Sequence, residues 1–313
     1  MNHDQGPAAA DAAGPNGDEG AATRPPAGPS NPFEKLRATS VIPWMIVGTL
    51  ILVGAFHVFA LLTPLGAGGP QTSEVIFGLA IYGALASWIV WACRRSGIPL
   101  RRLLGALPGG YNWLSWTRLA ALLAVTIGFS YSSWFLFAYL LSIVAPGVLE
   151  FLIEALWPES DPSTGYRLTM AVIAVVLAPV LEEGFFRGIL VNRWGSRWGL
   201  PTALIASSIA FGVLHANPVG IGLVGLIAAL LYLQTRTLIV PILFHAANNL
   251  VATVWDQLAG DVGPLNVAAE IQELREGILF GIALAAITLP ILIGYIRRNW
   301  PARDAALPYD ATE

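Results

Sequence analysis

Six polar residues lie in stretches that are otherwise apolar: Glu182, Glu183, Arg187, His215, His245 and Asn249. They occur in Ala-Pro-Val-Leu-Glu-Glu-Gly-Phe-Phe-Arg-Gly (178–188), Phe-Gly-Val-Leu-His (211–215) and His-Ala-Ala-Asn-Asn (245–249). An ionisable group at membrane depth is costly unless it is paired or faces a polar cavity, so such groups read as functional by default. Carboxylate, guanidinium, imidazole and carboxamide together make a set suited to hydrolysis. A carboxylate can activate a water, an imidazole can hold or pass its proton, and amide or imidazole N–H groups can receive a developing oxyanion.

The spacing divides the labour. On a helix Glu183 and Arg187 stand at i and i+4 with the acid first, the favourable order for an ion pair. Such a pair neutralises itself, and by itself it reads equally as glue between helices. At 3.6 residues per turn Glu182 points about 100° away from its neighbour and is free to face a cavity. Gly184 and Gly188 leave room for a close helix or a water. His245 and Asn249 are also i and i+4, so the amide is placed to orient the imidazole or to donate to an oxyanion, while Asn248 points elsewhere. Interhelical hydrogen bonding is the plainer use of that pair. His215 precedes Asn217-Pro218, a turn signal, where a histidine is ordinarily a helix-end or interfacial residue.

Membrane-spanning helices must carry these groups. The chain of 313 residues is 55% hydrophobic and 12% charged, against about 25% charged in soluble domains. Its mean hydropathy is +0.64. Apolar runs at 41–63, 75–93, 119–144, 168–190, 199–215, 219–234, 238–256 and 278–296 predict an all-α, polytopic transmembrane bundle of about eight spans. Arginine and lysine fall in alternate loops. Lys35 and Arg37 precede the first span, and Arg94, Arg95, Arg101, Arg102 and Arg118 lie between the second and third. Arg193, Arg197 and Arg236 follow the fourth and sixth, and Arg297, Arg298 and Arg303 follow the last. Two intervening loops are acidic, with Glu150, Glu154, Glu159 and Asp161 in one and Asp256, Asp261, Glu270 and Glu273 in the other. The positive-inside rule then places both termini in the cytoplasm of a multi-pass cell-membrane protein.

Outside the spans, residues 1–32 are rich in Ala, Gly, Pro, Asn and Asp and are expected to be a disordered cytoplasmic tail. Residues 301–313 are expected to be a second free cytoplasmic tail. Between them the chain divides into N-terminal spans (33–164), a core carrying the polar motifs (165–256), and an outer loop with the last span (257–300). Leu149, Leu152, Ile153 and Leu156 share a helical face with Glu150 and Glu154 opposite, an interfacial helix ending at Trp157. Val267, Ile271 and Leu274 form a weaker one. The scattered basic residues give no support for nucleic-acid binding. The single cysteine, Cys93, excludes an intramolecular disulfide and reads as a small hydrophobe.

Depth poses a difficulty. Counted at about 1.5 Å per residue from the neighbouring arginines, Glu182 lies about 16 Å and His245 about 13 Å deep, but His215 lies about 27 Å away, near the opposite surface. The fifth and sixth runs are short and joined through Pro218-Val219-Gly220. They therefore predict a tilted, sunken hairpin whose tip brings His215 beside Glu182.

Glu-Glu-x-x-x-Arg (182–187), Phe-x-x-x-His (211–215) and His-x-x-x-Asn (245–249), in this order on successive spans, resemble the CAAX-protease and bacteriocin-processing family. This family includes the type II CAAX prenyl endopeptidases and the abortive-infection proteins. The resemblance covers about residues 165–256. It implies an intramembrane glutamic endopeptidase without a metal or other cofactor, acting on membrane-associated or lipidated peptides or proteins. Glu182 would be the general base assisted by His215, His245 and Asn249 would hold the oxyanion, and Glu183 and Arg187 would support. Three other readings stand beside it: a non-catalytic immunity or scaffold protein, a zinc metalloprotease, and a proton-coupled transporter. No His-Glu-x-x-His helix favours the second, and no internal repeat favours the third.

Overall fold

The computed structural model describes residues 31–63, 69–110, 112–156, 163–259, 266–302 and 305–311. All but Asn31 and Pro32 of the expected N-terminal tail lie outside these, as do Trp157, Glu159, Asp161, Asp261 and Arg303. The described residues form a helical bundle. Its helices are α1 (Val41–Leu62), α2 (Pro70–Ser96), α3 (Leu100–Leu104), α4 (Trp113–Val144), α5 (Pro146–Leu156), α6 (Thr164–Trp198), α7 (Leu200–Val213), α8 (Pro218–Thr235), α9 (Ile239–Ala259), α10 (Val267–Glu276) and α11 (Ile278–Asn299).

Six of these, α1, α2, α4, α6, α8 and α11, are long and apolar enough to cross a membrane, and α7 and α9 are shorter apolar helices. Each predicted apolar run thus corresponds to a helix, and the protein is an integral multi-pass membrane protein. Large apolar side chains such as Ile46, Leu50, Leu61, Val172, Val176, Ile287 and Ile291 face outward, as they do where lipid is the solvent.

The helix α6 carries the first motif and is not a regular α-helix. Ile173–Leu177 and Gly184–Val191 are π-helical, and Ala178–Glu183 between them is α-helical. Pro179 accounts for the first widening. It has no N–H, and its ring would press on the carbonyl of Val175 in a regular helix. The Ala178 N–H instead bonds to the Ile173 carbonyl, one residue further back than in an α-helix. In that register the carbonyl of Ala174 would await the N–H of residue 179, which is proline.

Alongside α6, α2 forms a seam. The Tyr166 hydroxyl donates to Glu74 at one end, and the Trp88 and Phe185 rings meet edge to face, 5.5 Å apart, nearer the other. Leu85, Trp88 and Ile89 pack into one buried cluster with Phe185, Phe186, Ile189 and Phe211.

One leg of the α7–α8 hairpin is short, as the length of its apolar run predicts. With 14 residues, α7 spans about 21 Å, short of the roughly 30 Å hydrocarbon core. Its tip is tied to the middle of α4. The Asn217 side chain caps α8 by accepting from the Gly220 N–H, and its Nδ2 donates to the Ser130 carbonyl at 2.8 Å. The two legs close tightly, since a Cβ on Gly212 would meet the Pro218 carbonyl oxygen at 2.3 Å.

The expected amphipathic pieces are α5 and α10. Leu149 and Ile153 of α5 are buried on Ala138, with Ile271 and Leu274 of α10 packed against them. The expectation of a free C-terminal tail is corrected for its described part. Leu307 and Tyr309 are buried, the Tyr309 ring meets Phe33 at 5.0 Å, and the Tyr309 N–H reaches Asn192 Oδ1. Apolar Leu307, Pro308 and Tyr309 give this segment the burial that the rest of a polar tail would lack.

Candidate active site

Glu183 and Arg187 form the predicted i,i+4 ion pair, with Nη1 to Oε1 at 2.9 Å and side chains 1% and 0% exposed. The same Glu183 Oε1 accepts from His245 Nδ1 at 2.9 Å, joining α6 to α9. The guanidinium stacks over Phe211 at 4.4 Å from the ring centre, a cation–π contact that a desolvated arginine favours. Close passage of α8 makes this possible, because a Cβ on Gly225 would stand 2.7 Å from Arg187 Nη2.

Glu182 turns away from this pair, as the helical arithmetic predicts, and takes a different partner. Its Oε1 accepts from the Tyr82 hydroxyl of α2 at 2.7 Å. Its Oε2 is buried with no hydrogen-bond partner. His245 Nε2 lies 4.0 Å from that oxygen. Two polar atoms at this separation do not bond to one another directly. Both can be reached by one bridging oxygen.

Hydrogen bonds assign the imidazoles. A backbone carbonyl only accepts, so His215 Nδ1, 2.7 Å from the Phe211 oxygen, carries the proton in that bond. Its Nε2 is then the basic nitrogen of the neutral ring. His245 Nδ1 donates to Glu183, so its Nε2 is an acceptor in the neutral ring and a donor only in the imidazolium.

The structure gathers Glu182, Glu183, Arg187 and His245 into one buried cluster. His215, in the turn between α7 and α8, joins through Phe211: that ring lies 4.7 Å from His215 and 5.6 Å from His245. Asn249 does not orient His245, as one reading of the spacing had it; Glu183 does. The Asn249 Nδ2 instead donates to the Ala174 carbonyl at 2.8 Å, supplying the N–H that Pro179 lacks. Its second N–H remains for other use, and Asn248 Nδ2 donates to Asn249 Oδ1. Asn192 plays a similar part at the second π-helical stretch, where its Nδ2 donates to the Gly188 carbonyl at 2.8 Å and reaches the Tyr232 oxygen at 3.1 Å.

Sequence reasoning missed Tyr82 and Asn192. Asn192 is a polar residue four places beyond Gly188 at the end of an apolar run, which is a usable signal. Tyr82 is a lone tyrosine in Ala-Ile-Tyr-Gly-Ala, with no spacing that links it to a glutamate 100 residues away. Among the described residues no group of three or more His, Cys, Asp and Glu side chains is arranged to hold a metal ion.

A family model described as "Type II CAAX prenyl endopeptidase Rce1-like" matches residues 164–251. Residues 164–251 are a CAAX-protease-like domain. The domain contains all six residues singled out in the sequence and excludes Tyr82. A protein of Bacillus subtilis (strain 168), described as "Putative membrane peptidase YdiL", is 31% identical over 83 residues, 26% of this chain. The match spans about a third, 34%, of that relative's length. No solved structure matches. The buried Glu/His/Arg cluster of the CAAX-protease-like domain is consistent with a glutamate-type active site.

Proposed function

We propose that the protein is an intramembrane endopeptidase that hydrolyses peptide bonds of membrane-associated or lipidated substrates with a glutamate-activated water and no catalytic metal. One observation carries the reading: Glu182 Oε2 is buried, lacks a partner and faces His245 Nε2 at 4.0 Å, while the adjacent Glu183 is tied through its Oε1 to both Arg187 and His245.

A water bound between Oε2 and Nε2 gives its proton to Glu182 as its oxygen adds to the scissile carbonyl carbon. His215 Nε2 assists by holding that proton. The oxyanion is received by the His245 Nε2–H of the imidazolium and by the second N–H of Asn249. With Glu182 protonated, the charges of the His245 imidazolium and Arg187 are balanced by Glu183 and the oxyanion, leaving the buried cluster neutral overall. Collapse of the tetrahedral intermediate breaks the C–N bond, and the proton held by Glu182 or His215 passes to the leaving amine. The products are a carboxylate and an amine, with one water consumed. Glu183 and Arg187 support by fixing His245. A carboxylate and an imidazole tied to one another and to a guanidinium are poorly disposed to take up a cation, which supports the metal-free form of the reaction. Alternating basic loops support the topology with both termini cytoplasmic.

The test compares membranes from cells making the native protein with those making Glu182→Gln, reading new peptide C-termini by mass spectrometry. The reading expects a set of ends present only with the native protein, at equal accumulation of both. Identical ends in the two membranes would overturn it.

A further inference from the structure

Outside the CAAX-protease-like domain, Tyr82 of α2 hydrogen-bonds directly to a residue of the site. We infer that Tyr82 of α2 is a positioning residue for Glu182: its hydroxyl, donating to Oε1 at 2.7 Å, fixes which carboxylate oxygen is left to act on water. This rests on the peptidase reading for its consequence, though not for its geometry.

The physical argument begins with the carboxylate. Rotation about the last torsion of a glutamate is broad and nearly two-fold, so its two oxygens are interchangeable unless something distinguishes them. Glu183 is distinguished by Arg187 and His245, which share its Oε1. Among the described residues Glu182 has one hydrogen-bond donor, Tyr82, and its other oxygen stays buried and unpartnered. The bond thus commits Oε1, turns Oε2 toward His245 Nε2, and keeps the side chain from spending time in rotamers that face away. Every catalytic contact of a general base depends on such placement, and misplacement of about 1 Å costs roughly 10²-fold in rate.

The support of Tyr82 is also visible. It packs against the cluster containing Leu85, Trp88 and Ile89 of α2 and Phe185 and Phe186 of α6. Trp88 on Phe185 lies to one side and the Tyr166–Glu74 bond to the other, so the height of α2 against α6 is set at both ends. The hydroxyl is therefore aimed by rigid helices. The groups facing Glu182 are Tyr82 from α2, Glu183 and Arg187 from α6, and His245 from α9, and of these only Tyr82 bonds to it directly. The consequence is that residues 164–251 hold the reacting groups, and α2 completes them.

The experiment uses full-length protein in proteoliposomes, with an internally quenched farnesylated peptide ending in a CAAX sequence and a second quenched peptide that is an unlipidated apolar helix. Tyr82→Phe removes one oxygen and keeps the ring. The expected result is a fall of about 10- to 100-fold in kcat, the range for losing a hydrogen bond to a charged group, with KM close to native and a lower Tm from the orphaned Oε1. In a Glu182→Gln background the same change should have no further effect on residual turnover. A second readout needs no turnover: the carboxylate stretching band lost in Glu182→Gln, followed by difference infrared spectroscopy, should shift in Tyr82→Phe. An unchanged kcat, or a loss confined to KM and Tm, would overturn the inference and leave Tyr82 as a structural tether. If the native protein cleaves neither peptide, the infrared band decides: a shift upholds the positioning while the peptidase reading loses support, and an unmoved band overturns the positioning.

Discussion

Removing Arg187 alone should be far more harmful than removing it together with its partner. Both side chains are essentially inaccessible, at 0% and 1% exposure, and the guanidinium also stacks on Phe211 at 4.4 Å. Arg187→Met keeps most of the volume but leaves Glu183 buried with His245 as its sole partner. Breaking a buried ion pair by removing one member typically costs about 3–5 kcal/mol, because the remaining charge stays desolvated. The loss of the cation–π contact adds about 2 kcal/mol at a desolvated site. Replacing both residues, as in Glu183→Leu with Arg187→Met, removes the uncompensated charge. Such apolar replacements are often near neutral in stability, so the double variant should recover most of what the single one loses. Its turnover should not recover, because His245 then lacks the carboxylate that fixes its ring. The assay is reversible unfolding in mixed micelles followed by circular dichroism, with turnover measured on the same preparations. The reasoning is refuted if Arg187→Met lies within about 1 kcal/mol of native, or if the double variant is as unstable as the single one.

Asn249→Ala should lower stability by about 1–3 kcal/mol by orphaning the Ala174 carbonyl, so unfolding measurements will show a structural loss alongside any loss of turnover. Asn217→Ala removes a helix cap and the ties to Ser130 and Ser133; a cost of about 1–2 kcal/mol should appear in thermal scans, and turnover should fall as the hairpin tip that carries His215 loosens. Gly225→Ala would set a methyl 2.7 Å from Arg187 Nη2, so it should lower Tm and reduce turnover more than Gly54→Ala, where the same methyl meets open space.

The apolar runs gave the helices because backbone groups in lipid must bond within their own segment, and the motif spacing gave the Glu183–Arg187 pair because i and i+4 share a face. The short α7 leg of the hairpin, 14 residues, also followed from the length of its run, whereas His215 reaches the cluster only by way of the Phe211 ring. Other features arise from packing between distant parts of the chain. Glu183 rather than Asn249 orients His245, because the π-helical register that Pro179 imposes calls the amide to a backbone carbonyl. That register is set by competition among hydrogen bonds over several turns, which no spacing rule expresses. Tyr82 was invisible for a simpler reason: packing of α2 on α6 is a long-range event, and a single tyrosine in an apolar run has many ordinary uses. The packed segment around Leu307 and Tyr309 was hidden in the same way, in a short stretch whose burial depends on Phe33 and Asn192.

The most direct test of the central claim is single-site replacement of the proposed base in purified protein. Glu182→Gln keeps the shape and an acceptor for Tyr82 but cannot take a proton from water. On a peptide that the native protein cleaves in proteoliposomes, turnover should fall by about 10²–10⁴-fold, the contribution typical of general-base catalysis, with Tm preserved. Turnover within tenfold of native, at the same Tm, would contradict the assignment of Glu182 as the residue that activates the water.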